Sequence, residues 1–331
     1  MRRRIAGAQG AAGQSGGSDG ATGETYVDDV FSTDVFDTEL EVSNTITNGI
    51  DLAGEGGMIW LKTRDTPGDS TLHDSERGLE YGIYTTGADP HYDFVDLGFT
   101  KPIFSSDGYT TSTARVYSKD GKAVGWTFRK APSFFDCVTW TGTGVSGLEI
   151  PHNLGIEPGM IIIKRTDANG DWPVYHISRK GMDLGCLNYG DGFVWSADKF
   201  IISSSVNDKS FKVPAGGFQN ADGGTYVAYL FAHDPDDGMI QCGTYTGTGD
   251  KNGPTIDLGW EPQFVMTKNA TFTGNWTMID TMRVDQYLLA NLPDKEETTD
   301  YIQITSTGFK PIRSSMNTNG AGQQYIYMAI R

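Results

Sequence analysis

One phrase occurs three times in this chain, and no other feature limits the fold so strongly. Residues 159–178 read GMIIIKRTDANGDWPVYHIS, residues 57–75 read GMIWLKTRDTPGDSTLHDS, and residues 262–281 read PQFVMTKNATFTGNWTMIDT. Each copy is an apolar run of strand length ending in Lys62, Lys164 or Lys268, then a polar turn containing glycine, then a second strand-like run. That is the pattern of a β-hairpin. The lysines lie 102 and 104 residues apart, a period too long for a solenoid and suited to three small tandem units.

The likeness extends beyond the hairpin. Residues 137–144 (CVTWTGTG) match residues 242–249 (CGTYTGTG), and each copy closes on an alternating strand: AVGWTFRKAP, TYVAYLFAHDP and QYIYMAIR. The first copy is the divergent one, with an aromatic, turn-rich stretch over residues 78–104. These signals predict an all-β chain: three tandem antiparallel β-sandwich-like repeat units after a Gly-rich N-terminal segment. The expected boundaries are residues 1–24 for that segment, then 25–132, 133–234 and 235–331. Residues 130–133 (KAPS) and 233–238 (HDPDDG) are short connections, so the units should form a compact or stiff array. A helix is expected only near residues 284–291 (VDQYLLAN). In the stretch before the first hairpin, Val35, Leu40, Val42 and Ile46 are spaced to face a core.

Composition narrows the function. The formal charge of −16 repels phosphate backbones and argues against nucleic acid as a partner. No apolar run reaches the ~20 residues of a membrane helix, so membrane insertion is not expected. MRRR at the start is followed by AGAQGAAGQSGG rather than an apolar segment, which does not read as a cleaved signal peptide. Glycine falls at every third position over residues 7–16. That spacing suits either a collagen-like trimer or a tether that orders on docking. Three cysteines cannot all pair, and Cys137 and Cys242, at equivalent places, should each pack as a thiol within its own unit.

Catalytic and metal motifs are not legible. The five histidines show no metal-ligand spacing, HDPDDG lacks the full Ca²⁺-loop pattern, and no carboxylate pair recurs. No catalytic residue, metal or cofactor is therefore assigned. The recurrent aromatic is different. Trp172 and Trp276 follow the turn beside Asn169 and Asn275, while the first copy carries Ser70 there. Such a ring either packs in a core or interface, or stands at a rim where a sugar face stacks and Asn takes the hydroxyls. Basic residues after the second strand, Arg77, Arg179, Lys180 and Arg283, read as internal salt bridges or contacts between units.

Taken together, GTYVAYLFA, AVGWTFRKAPSFFDCVTWTGTG, EIPHNLGIEPGMIIIKRTDANGDWPVYH and QYIYMAIR resemble a repeat domain of marine bacteriophage proteins of the cyanophage type, over about residues 31–331. Those proteins are virion structural or tail-fibre-like. The resemblance implies a β-rich, non-enzymatic particle protein made in the host cytoplasm and located in the virion. The expectation is a tail appendage that docks through its N-terminus, with Arg2, Arg3 and Arg4 as the basic contacts, and meets the host surface through its β units. Its partners would be other tail or capsid proteins, further copies of itself, with a trimer favoured, and a host cell-surface glycan. The alternatives are a capsid decoration or head-fibre protein and, third, a tail glycan depolymerase.

Overall fold

The computed structural model describes residues 25–39, 42–112, 121–180, 183–195, 201–236, 238–299 and 301–331. Residues 1–24, with Arg2, Arg3 and Arg4 and the glycine spacing, lie outside them, as does Leu40. The fold is all-β. Among the described residues the one α-helix is the single turn Leu52–Glu55.

Three large antiparallel sheets carry the chain, and their strands follow one order. In the first sheet, Phe31–Thr38 lies beside Gly121–Arg129, followed by Gly57–Thr63, Thr71–Asp74, Tyr81–Tyr84 and Tyr92–Asp93. The second runs Phe135–Thr141, Thr225–Ala232, Pro158–Arg165, Pro173–His176, Asp183–Cys186 and Val194–Trp195. The third runs Ile240–Thr246, Gln324–Ile330, Phe264–Asn269, Thr277–Asp280 and Leu288–Leu289. In each, the strand that closes the segment inserts between its first strand and the hairpin, which makes the pairing non-local. A small sheet lies behind each large one: Thr45–Thr47 with Gly108–Thr110 and Ile103–Ser105, Leu148–Pro151 with Ser210–Val213, and Ile256–Asp257 with Gly308–Pro311 and Ile302–Thr305. Gly108 and Gly308 make these small sheets close. A Cβ at either would collide with the carbonyl oxygen of Ile46 or Ile256 on the paired strand.

The apolar run of each hairpin is continuous because both faces of its strand are buried. Alternate residues go opposite ways. Ile59 and Leu61, Ile161 and Ile163, and Val265 face the small sheet behind, forming three separate cores with Tyr109, Phe211 and Phe309 respectively. Met58 and Trp60, Met160 and Ile162, and Phe264 and Met266 face the other way and meet in one cluster common to all three sheets. The strand register stacks that cluster in layers. Met58 pairs Phe128, Met160 pairs Phe231 and Phe264 pairs Ile330; in the next layer Trp60 pairs Trp126, Ile162 pairs Tyr229 and Met266 pairs Met328. Rings touch across sheets, with Phe128 to Phe231 at 5.6 Å and Trp126 to Phe264 at 5.9 Å. Each such side chain contributes about 1.5–3 kcal/mol by leaving water.

Three expectations need correction. Cys137 and Cys242 are free and buried, yet both belong to the common cluster rather than to the core of one segment. A Cβ on Gly159 would stand 2.7 Å from the Cys242 sulfur, so the third segment crosses the second at that glycine. Residues 284–291 form a turn and the short strand Leu288–Leu289 instead of a helix. Asp285 adopts φ 61° there, a left-handed conformation that a helix does not admit and that aspartate tolerates. Val35 and Val42 are exposed while Ile46 is buried. Phe31–Thr38 is an edge strand of the first sheet: Phe31 enters the common cluster and Phe36 packs against the core that holds Tyr109, while Val35 stays exposed.

Candidate functional site

The lysines that end the three hairpin strands continue the inward-facing series, two residues beyond Trp60, Ile162 and Met266. Each is buried. The Lys62 ammonium donates to Gly68 O (3.2 Å) and Leu292 O (2.8 Å), Lys164 to Gly170 O (2.6 Å) and Ala88 O (2.8 Å), and Lys268 to Asn269 O (2.8 Å) and Gly190 O (3.0 Å). One carbonyl comes from the lysine's own hairpin and the other from the neighbouring segment. Burial lowers all three amines, Lys62 and Lys164 to about 8 and Lys268 to about 7. A neutral amine still has two N–H groups, enough for its two carbonyls.

The same neighbour is stitched through backbone. Gly68 N donates to Pro293 O, Gly170 N to Ala88 O and Gly274 N to Gly190 O. In return Glu296 N donates to Arg64 O, His91 N to Thr166 O and Phe193 N to Ala270 O. The first hairpin therefore leans on the third segment, the second on the first, and the third on the second. The sheets close into a ring.

Trp172 and Trp276 belong to this closure. Their exposures are 0% and 1%, and their indole N–H groups donate across the seams to Gly87 O (3.0 Å) and Cys186 O (2.9 Å). Of the two alternatives for these rings, packing fits and a solvent rim does not, because neither ring has a face left for a sugar. Where the first segment has Ser70, the crossing bond comes instead from Thr85, whose hydroxyl donates to Ala290 O at 2.6 Å. Asn169 is exposed on the second hairpin turn. Asn275 is half-buried: its backbone N–H donates to Asn317 Oδ1 and its side-chain Oδ1 accepts from Asn291 Nδ2. The two Trp and Asn pairs stand at different seams and form no joint site.

A second belt crosses the common core where each hairpin ends. Trp126 Nε1 donates to Asp280 Oδ2 (3.1 Å), the Tyr229 hydroxyl donates to Asp74 Oδ2 (2.8 Å), and His176 Nε2 pairs with Tyr327 O (3.0 Å). Arg77 and Arg283 neutralise the two buried carboxylates at 2.6 and 2.7 Å. Arg283 also pairs with Glu296, which Arg64 of the first hairpin holds at 2.9 Å. Burial lowers His73 and His176 to about 3 and about 4, so both are neutral near pH 7. His176 Nδ1 accepts from Ser178 N, which leaves the proton on Nε2. Lys180 pairs with Glu157 and the Arg179 guanidinium reaches Gln324.

The seam between the second and third segments also opens into a groove of about 440 Å³. Its lining includes Tyr189, Phe218, Phe272, Asp171, Asp191 and Thr273. The three rings are 45%, 45% and 56% exposed. Asp171 Oδ1 accepts from the Tyr189 hydroxyl (2.6 Å) and from Asn188 (3.0 Å), whose own oxygen accepts the Trp172 amide. Phe272 sits at the tip of the third hairpin, where Asn269 Oδ1 accepts its amide at 2.9 Å. Sequence reasoning passed over these residues. The available signal was the turn itself, which carries phenylalanine at a tip where the other copies place Thr66 and Ala168.

A second cavity, of about 380 Å³, lies beside the closing seam and is lined by Glu261, Arg283, Asp285, Gln286 and Tyr301 among others. Among the described residues no three His, Cys, Asp or Glu side chains group as a metal site requires.

Residues 28–331 match the family described as Domain of unknown function (DUF7483). The chain belongs to that family. The match takes in all three sheets, from the turn before the first strand to the last residue. No curated protein matches the chain.

Proposed function

We propose that the protein is a structural component of a bacteriophage virion, a tail appendage that docks through residues 1–24 and presents its three-sheet body to the host surface. One observation carries this reading. The residues with the most chemical capacity, three buried lysines, two buried Asp–Arg pairs and a neutral histidine, are engaged in joining sheets. A body held in that way suits a stiff, non-enzymatic projecting part. The resemblance of its phrases to marine phage virion proteins supports the same assignment.

The test is to label intact virions with an antibody against residues 134–331 and locate it by electron microscopy. Label at the tail is the expected result. Label over the shell would move the protein to capsid decoration, and unlabelled particles would overturn the virion assignment.

A further inference from the structure

We propose that the groove between the second and third segments is a binding site for a neutral saccharide; this deepens the host-contact reading and rests on it. A volume of about 440 Å³ is within the ~300–1,000 Å³ range of small-ligand clefts. Exposed Tyr189, Phe218 and Phe272 supply faces for the C–H side of a sugar ring, and Asp171, Asp191 and Thr273 supply polar partners for its hydroxyls. The two carboxylates, on a chain of charge −16, disfavour phosphorylated or acidic ligands.

The groove is built rather than incidental. Tyr189 is tied to Asp171, Asp171 to Asn188, and Asn188 to the backbone of buried Trp172, so one aromatic wall is anchored to the cluster common to the three sheets. The opposite wall is the third hairpin tip. Its backbone is pinned because Asn269 Oδ1 accepts the amides of both Thr271 and Phe272, while the Phe272 ring stays exposed. Pinned aromatic walls reduce the ordering cost of binding. The corresponding tips at the other two seams carry Thr66 and Ala168, which offer no ring. The site is therefore particular to this seam.

The full-length protein is applied to an array of immobilised oligosaccharides covering neutral hexoses, N-acetylhexosamines and sialylated chains. The best neutral binder is then titrated by calorimetry. Phe272→Ala, which installs the residue the second hairpin already carries, and Tyr189→Ala should each weaken binding about tenfold, the scale of losing one aromatic anchor. Unchanged thermal unfolding would show that both variants fold. Capture of no saccharide, capture of sialylated chains alone, or binding unchanged in both variants would overturn the site. A blank array with tail-labelled virions removes the groove and leaves the appendage; saccharide binding with unlabelled virions does the reverse.

Discussion

The seam between the third and first segments and the seam between the second and third use the same backbone stitches and differ in what fills them. At both, a hairpin-turn glycine donates to the neighbour and the neighbour returns an amide three residues on. The closing seam between third and first is then sealed by charge: Arg64, Glu296, Arg283 and Asp280 form a chain of ion pairs, and Trp126 donates into it. The seam between second and third has no such chain among its described pairs and leaves aromatic rings exposed around a groove. What the seams share holds the ring together. What differs is where a function particular to one face can reside.

The largest effects should come from the shared parts. Trp172→Ala or Trp276→Ala removes a fully buried ring together with a bond across a seam, and should cost about 3–5 kcal/mol in chemical denaturation. A loss below about 1 kcal/mol would return the rings to the surface. Arg283→Ala leaves Asp280 buried without its cation and should cost about 3–5 kcal/mol, with all three segments still unfolding in one transition. Separate transitions would mean that the closing seam does not couple the segments.

Lys268→Met should cost less, about 1–3 kcal/mol, by taking the ammonium away from Asn269 O and leaving Gly190 O with the Gly274 amide alone. The lysines also set a pH dependence. Their folded values are depressed to about 7–8, so between there and the ordinary lysine range near 10.4 the unfolded chain holds more protons. Stability should therefore rise from pH 7 to about 8.5, and less steeply in Lys268→Met; above that the thiols of Cys137, Cys186 and Cys242, all pushed up by burial, act with the opposite sign. A flat or falling profile between pH 7 and about 8.5 in the unmodified chain would contradict the buried amines. Smallest is Phe272→Ala, which should shift stability by no more than about 0.5 kcal/mol while acting on saccharide binding.

Much of this was legible in the sequence, and the omissions have physical causes. Strand type and hairpin position follow from local pattern, and GMIIIK read correctly as the first strand of a hairpin. A run buried on both faces does not say what lies on each face. The destination of Met160 and Ile162 in a core shared with Trp60 and Met266 was therefore invisible, as was the burial of the lysine that continues their face. Ser70 in the place of tryptophan kept a rim position open for Trp172 beside the packing alternative, yet the crossing bond had moved to Thr85, fifteen residues on, where no local comparison would find it. Residues 284–291 have helical spacing in Val284, Tyr287 and Leu288. In the fold Val284 is exposed, while Leu288 and Leu289 part to different cores. The groove needs residues from two segments and had no signal beyond Phe272.

Ring closure is tested most directly by amide hydrogen exchange at Gly68, Gly170 and Gly274, the three turn glycines that donate across the seams. In a closed ring all three are protected alike, because each meets a neighbour. In an open array of three units the second and third hairpins would still lean on the preceding segment and the first would have none. Gly68 exchanging at an unprotected rate while Gly170 and Gly274 remain slow would contradict the ring.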